Sequence, residues 1–445
     1  MTTPIYDFLC KYINSKNTRC HMPGHHGNIV ALRKHCSDDF LKMLSFDITE
    51  IDGADSLFDA SGIIAESERN AAELFKTAYT CYSAGGSTLG IQSMLAVMKS
   101  EKRRIIAVRN AHRALLNAAA LLDMEIDWVY PDCTCGILSG EINIDEISAK
   151  LTKCDEPVCV YITSPDYTGR IADIGAVSAV CKKHNARLIV DNAHGSHLAF
   201  MGKHPISLGA DLCCDSAHKT LPVLTGGAYV HTSDPSLADK IKPTMKLFAS
   251  TSPSYLILAS LDICNAYISD RMPHDIAVMK RFSDELKTRF PDTVFIGDDP
   301  FHLTVDAQKS GFNGREFADI LRKQNIEPEY ADDFCAILLF SPIDVSNTAY
   351  IISAIEKALA NIKRVTRNTV QFSLPRLERA MSIRNAVFAP NETIPTELAE
   401  GRICSAVNVP CPPAVPIAVS GELINRECID IFIKYGIAAV NVVKP

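Results

Sequence analysis

The sequence predicts an α/β protein built around a mostly parallel central sheet. Three observations lead there. Short apolar runs alternate with helical segments between residues 105 and 191, the pattern of strand–helix–strand units. One of these runs closes on an acid, Asp191, at the strand end where open α/β sheets bind ligands. A turn of glycines and hydroxyls, Gly85-Gly86-Ser87-Thr88, leads directly into an apolar helical run.

The elements follow in order. Residues 1–60 read as irregular, punctuated by Pro23-Gly24-His25-His26-Gly27. A helical pattern covers 62–76, and a second runs from Leu89 to Met98. The alternation then begins. Ile105–Val108, Asp127–Tyr130, Val158–Thr163 and Leu188–Asp191 read as strands; Ala114–Leu122, Ile144–Leu151 and Ile174–His184 read as the helices between them. Strand-like stretches at Ala210–Cys214 and Gly227–His231 precede a helix-rich region reaching about residue 290. Residues 293–363 change character. Strands at Val294–Ile296, His302–Val305 and Ala336–Phe340 alternate with helices near 315–323 and 347–360, a smaller α+β unit. The last segment, 370–445, is rich in proline.

Composition excludes several function classes. With 47% hydrophobic and 22% charged residues the chain has enough apolar material for a packed core. A formal charge of −7 leaves no basic surplus for non-specific nucleic-acid binding. No apolar run approaches the ~20 residues of a membrane helix. The start lacks a basic segment followed by an apolar stretch, so no secretory signal is expected. The sixteen cysteines are scattered and read as reduced thiols of a cytoplasmic enzyme. Neither Cys133-Thr-Cys135 nor His25-His26 has partner ligands at metal spacing, and no metal is expected.

Four segments carry chemistry. Gly85-Gly86-Ser87-Thr88 before a helix offers free N–H groups, hydroxyls and close backbone approach, a phosphate cradle; a plain capped helix is the alternative. Asp191-Asn192-Ala193-His194-Gly195 places an acid at a strand end, a role that a turn acid also fills. Asp215-Ser216-Ala217-His218-Lys219-Thr220 sets a lysine among apolar strands, where burial frees an amine for Schiff-base chemistry; an exposed loop lysine is the alternative. Arg109-Asn110-Ala111-His112 puts a flat imidazole at a strand end, a position that a structural histidine also takes. Together they supply hydroxyls for a phosphate, an acid for a pyridine nitrogen and a lysine for an aldehyde, which is what pyridoxal 5'-phosphate (PLP) requires. Asp191 precedes Lys219 by 28 residues, consistent with neighbouring strand ends.

At these residues the sequence resembles the ornithine/lysine/arginine decarboxylases, in a short form without a preceding wing domain. The resemblance covers nearly the whole chain. Its markers are His21-Met22-Pro23-Gly24-His25, Asp47-Ile48-Thr49-Glu50, Gly86-Ser87-Thr88, Arg109 to His112, Asp191 to Gly195, Ser216 to Pro222, Thr251-Ser252-Pro253-Ser254-Tyr255 and Ile326-Glu327-Pro328-Glu329. Towards the C-terminus Gly401-Arg402-Ile403, Pro412-Pro413, Pro416 and Gly421-Glu422 continue the set.

The resemblance implies a PLP-dependent transferase fold of the aspartate-aminotransferase type. It implies an N-terminal segment (1–60), a large PLP-binding domain (61–290), a small α+β domain (291–369) and a C-terminal decarboxylase domain (370–445). Lys219 would hold PLP as a Schiff base and Asp191 would pair with the ring nitrogen. His112 would stack on one ring face and Ala193 would cover the other. Ser87, Thr88, Ser216 and His218 would bind the phosphate. Thr251 or Ser252 would reach the phosphate of a neighbouring copy in a homodimer or larger homo-oligomer, and Lys219 or His218 would return the proton. The implied reaction is decarboxylation of arginine, lysine or ornithine, with arginine first because short forms often make agmatine for polyamine synthesis. Another reaction on the same fold, lyase or aminotransferase, and a non-catalytic PLP-binding relative are the alternatives. Five positions depart from the family pattern. His26 stands where lysine is usual, Asp215 where a neutral residue is usual, Cys411 where tyrosine is usual and Ala414 where glycine is usual; Ala406 replaces an acidic or polar residue.

Overall fold

A computed structural model describes residues 1–15, 17–28, 30, 32–364, 373–405 and 415–445. Ala406, Cys411 and Ala414 lie outside the described residues, as do Pro412 and Pro413. The chain divides into two compact units. One comprises Met1–Val97 and Gly195–His274; the other comprises Met98–His194 and Asp275–Pro445.

In the first unit three strands pair antiparallel in the order Tyr79–Ser83, Ala228–Thr232, Leu212–Asp215. The Gly86–Ser100 helix packs closely on them: a Cβ on Gly90 would meet Val230 and Cys214. The region expected to be irregular holds two helices, Pro4–Ile13 and Asp38–Phe46. Pro4 suits a first helical position, and Ile5 and Leu9, four apart on one face, are fully buried. The Asp262 carboxylate accepts from the Ile5 and Tyr6 N–H groups and from the Ser67 hydroxyl, tying the first helix to Tyr255–Asp270 and Ile63–Phe75.

The second unit contains the expected parallel strands. Arg187–Asp191, Val158–Thr163, Arg104–Val108 and Ile126–Val129 are neighbours in that order, every pair parallel. Most of the residues of the first three are buried, which explains their continuous apolar runs. Helices Arg113–Leu122, Ile144–Thr152 and Ile174–Lys183 occur where the alternation put them. The small α+β part is a four-stranded antiparallel sheet, Phe295–Ile296, His302–Asp306, Cys335–Leu339 and Tyr330–Ala331, with helices Gly314–Arg322 and Thr348–Asn361. The C-terminal stretch adds an antiparallel pair, Asn391–Pro395 with Ala439–Val443, and the Arg426–Lys434 helix. Phe432 and Val442 from this stretch share one core with Leu138 and Ile337.

Candidate active site

The first unit carries the lysine and the hydroxyls. Ser83 ends its strand and shapes the next turn: its Oγ accepts from Gly85 N–H and donates to Gly86 O. Gly86 sits at φ +68°, with open space where a Cβ would stand. The helix starting there leaves N–H groups of its first turn without intrahelical acceptors. Across from it the Leu212–Asp215 strand ends, and Ser216 Oγ donates to Ser87 Oγ at 2.7 Å. Two hydroxyls from distant segments thus meet at a helix N-terminus, the arrangement that binds phosphate. Thr88 is exposed beside them. It lines a cleft of about 260 Å³ with Gly85, Leu57, Phe58, Phe248 and Ser252. Ser252 therefore opens into the same cleft as Thr88, and Thr251 beside it is exposed.

Lys219 lies in a single helical turn, Ala217–Thr220, three residues past Ser216 and half-buried. His218 Nδ1–H donates to Gly227 O at 3.0 Å. Burial lowers the His218 pKa, this hydrogen bond opposes the shift, and the Lys219 charge adds to it. The ring is therefore neutral near pH 7, with its Nε2 lone pair available.

The second unit carries the acid. Asp191 ends its strand and is buried. Its Oδ2 accepts from the Tyr161 hydroxyl at 3.1 Å and its Oδ1 from Ala193 N–H at 3.1 Å. Ala193 is buried directly after it. His112 caps the Arg113–Leu122 helix: its Nδ1 accepts from Ala114 N–H at 3.1 Å, which leaves the proton on Nε2 and fixes the ring plane. Two groups escaped the sequence. Tyr161 looked like a core strand residue. His194 joins a relay in which its Nδ1 lies 3.1 Å from His302 Nε2, and His302 Nδ1 lies 2.7 Å from Asp299 Oδ2. The only prior signal for His194 was its place in the Asp191 motif.

Arg109 has a structural task. It is fully buried, donates to Pro416 O, Ile417 O and the Glu422 carboxylate, and lies over the Trp128 ring. The N-terminal markers also meet: His25 Nε2 lies 3.3 Å from Asp47 Oδ2, and His21 Nε2 2.6 Å from Tyr12 Oη.

A comparison with known families matches residues 3–289 to the major domain of the Orn/Lys/Arg decarboxylases. The chain belongs to that family. Its members are PLP-dependent decarboxylases, and the chain is an enzyme of that class. The arginine decarboxylase of Bacillus subtilis (strain 168) is 26% identical over 460 residues, covering 97% of this chain and 93% of its own. The uncharacterized protein YaaO of the same strain is 28% identical, covering 96% and 93%. Among solved structures, the Francisella novicida lysine decarboxylase LdcF superposes with a TM-score of 0.81 at 15% identity, over 99% of this chain and 81% of that one. The expected fold class is thereby established. Among the described residues no helix is long and apolar enough to cross a membrane.

Proposed function

We propose that the protein decarboxylates a basic L-amino acid, arginine first, with PLP held by Lys219. The observation that carries this reading is the Ser87–Ser216 hydroxyl pair at a helix N-terminus, three residues ahead of a half-buried lysine. The residues present fit the cofactor. Two hydroxyls and free N–H groups suit a phosphate, the open space at Gly86 admits close approach, and a buried carboxylate with two donors suits an acidic ring partner.

Bound there, PLP supplies an electron sink for the charge left when carbon dioxide departs. Lys219 would hold the cofactor through its amine. Ser87, Thr88 and Ser216 would anchor the phosphate end, joined by His218 when its Nε2 carries a proton. Asp191, oriented by the Tyr161 hydroxyl and the Ala193 N–H, would pair with the ring nitrogen. His112, its ring plane set by the helix cap, and the buried Ala193 would hold the cofactor ring. Lys219, or His218 once its Nε2 has taken up a proton, would return a proton to the α-carbon after carbon dioxide has left. Arginine as first substrate is supported by relatives named arginine decarboxylase that align over nearly their whole length. A homodimer in the cytoplasm completes the reading. The exposed Leu247, four residues before Thr251, supports a second copy covering that segment.

The test is an amine screen. PLP-loaded protein is incubated with arginine, lysine and ornithine, and agmatine, cadaverine and putrescine are sought by mass spectrometry. One strong product is expected from the wild type and none from Lys219→Ala, which should also lose the visible absorbance of lysine-bound cofactor. No product from any of the three, with that absorbance present, would refute the reading.

A further inference from the structure

Below the cofactor segment of the first unit lies a buried cluster that decarboxylation does not use. His204 Nε2 is 3.2 Å from Asp215 Oδ2, and His231 Nε2 is 3.6 Å from the same oxygen. The three ligand atoms lie within 4.8 Å of one another. Cys213 Sγ is 3.6 Å from His204 Nε2 and 3.7 Å from Asp215 Oδ1. All four side chains are at most 2% exposed. Strand geometry brings them together: Cys213 and Asp215 alternate onto one face, and His231 stands opposite Cys213 on the antiparallel neighbour.

The hydrogen bonding of His231 points to a cation. Its Nδ1 lies 2.8 Å from Thr80 Oγ1, which in turn lies 2.7 Å from Thr77 Oγ1. In the tautomer whose Nδ1–H donates to Thr80, Nε2 carries a lone pair. That nitrogen is buried, has no hydrogen-bond partner, and faces a carboxylate oxygen too far for a good hydrogen bond. In that tautomer a lone pair faces an anion, an arrangement that a cation between them makes favourable. A hydrogen bond behind the ring is also what metal-ligating histidines ordinarily have. The spacing matches a known ion. With Zn–N, Zn–O and Zn–S bonds of about 2.0–2.3 Å, the edges of a tetrahedral zinc site are about 3.3–3.7 Å.

We propose that Cys213, Asp215, His204 and His231 form a structural site for a divalent cation of the zinc class. Two nitrogens, one oxygen and one sulfur suit this borderline ion, and the closed, dry setting beneath the Phe75 ring leaves no open position for catalysis. The metal locks the end of the Leu212–Asp215 strand one residue before Ser216. It thereby steadies the turn that carries Ser216 and Lys219. Asp215, which departs from the neutral residue that the family resemblance leads one to expect, gains a role as ligand.

The test uses the full-length holoenzyme, purified without chelator, dialysed against zinc and desalted. Elemental mass spectrometry should find one zinc per chain, and a strong chelator should lower the unfolding midpoint. Cobalt(II) in place of zinc should give a thiolate charge-transfer band that Cys213→Ser removes. His231→Asn should lose the metal. Thr80→Val, which keeps all four ligands, should weaken zinc about 10–100-fold, and it decides the matter if His231→Asn fails to fold. Substoichiometric metal in reconstituted wild type would overturn the proposal. So would zinc bound as tightly by Thr80→Val and a folded His231→Asn as by wild type, since the ion would then sit elsewhere. Metal content is read independently of amine production, so this proposal and the decarboxylase reading fail separately.

Discussion

Gly90→Ala tests how the phosphate end of the site is held. Gly90 lies inside the Gly86–Ser100 helix, where alanine ordinarily gains about 1 kcal/mol over glycine. Here the new methyl would stand 2.9 Å from Val230 Cγ2 and closer still to Cys214 Sγ. Carbon–carbon contacts settle at about 3.5–4.0 Å, so the helix and the strands must part by more than half an ångström. Cys214 cannot easily yield. It is fully buried, and its thiol donates to Ser87 O at 3.6 Å. Overpacking of this kind costs about 1–3 kcal/mol, with the upper part of that range expected against two buried side chains. After the helix-propensity gain, a net loss of about 1–2 kcal/mol remains. The displaced helix start also separates Ser87 from Ser216, and PLP affinity should fall at least about tenfold, or 1.4 kcal/mol. Urea unfolding and cofactor titration by absorbance measure both effects. Cys214→Ala in the same chain should recover part of the loss, with a coupling above about 0.5 kcal/mol in the double-mutant cycle. Wild-type stability and cofactor affinity in Gly90→Ala, or strict additivity in the cycle, would refute the reasoning.

Three further perturbations follow from buried polar groups. Tyr161→Phe removes the hydroxyl donor to Asp191 Oδ2 and should cost about 1.5–3 kcal/mol in urea unfolding; an unchanged midpoint would mean that this oxygen has a sufficient substitute. Lys242→Ala strands the buried Glu68 carboxylate, whose pKa burial already pushes up against the pull of Lys242, and should cost about 3–5 kcal/mol. Lys242→Met with Glu68→Gln should regain most of that, and no recovery would place the loss in packing instead. Burial pushes Asp262 up to about 6, against the hydrogen bonds from Ser67, Tyr6 and Ile5. A carboxyl raised above its unfolded value of about 4 contributes stability that is complete below pH ~4 and lost as pH rises through about 6, on the order of 3 kcal/mol. Asp262→Asn should flatten that part of the stability profile, and an unaltered profile would assign it to another group.

What the sequence made legible follows from how each element buries its residues. Val158–Thr163 is covered on both faces, so it reads as an unbroken apolar run and its bounds match those in the structure. Tyr79–Ser83 is equally a strand, but Thr80 and Ser83 are buried by satisfying hydroxyls, which no hydropathy pattern displays. The Asp132–Cys135 and Ser139–Glu141 hairpin is three to four residues per strand, too short for a period to register. In the candidate site, Asp191, Ser87 and Lys219 were readable because each stands at a strand end or helix start, positions that local sequence marks. Tyr161 was not, because its hydroxyl matters only through a side chain on the neighbouring strand. The His204–Asp215–His231 cluster escaped for the same reason. Its members are spread over 28 residues and meet only when two strands pair.

Arg109 shows that a residue within a chemistry-bearing segment can serve the scaffold. It sits three positions before His112, and in sequence the pair looks like one piece of active-site chemistry. In the structure its guanidinium is consumed 307–313 residues away, by Pro416 O, Ile417 O and Glu422. A fully buried arginine needs its charge paired and its donors taken up; those C-terminal groups pair the charge and take both terminal nitrogens, leaving Nε without a partner. Glu422 is held in turn, accepting from Val419 N–H at 2.7 Å. Three markers at opposite ends of the chain, Arg109, Pro416 and Glu422, are therefore one contact. The Asp299–His302–His194 relay does the same for the Asp191 turn, fastening its far end to the small antiparallel sheet. Both devices place buried charge or imidazole where a single substitution leaves a polar partner stranded. Markers of this kind therefore report the scaffold that positions Asp191 and His112. They leave the choice of amino acid to residues that touch it.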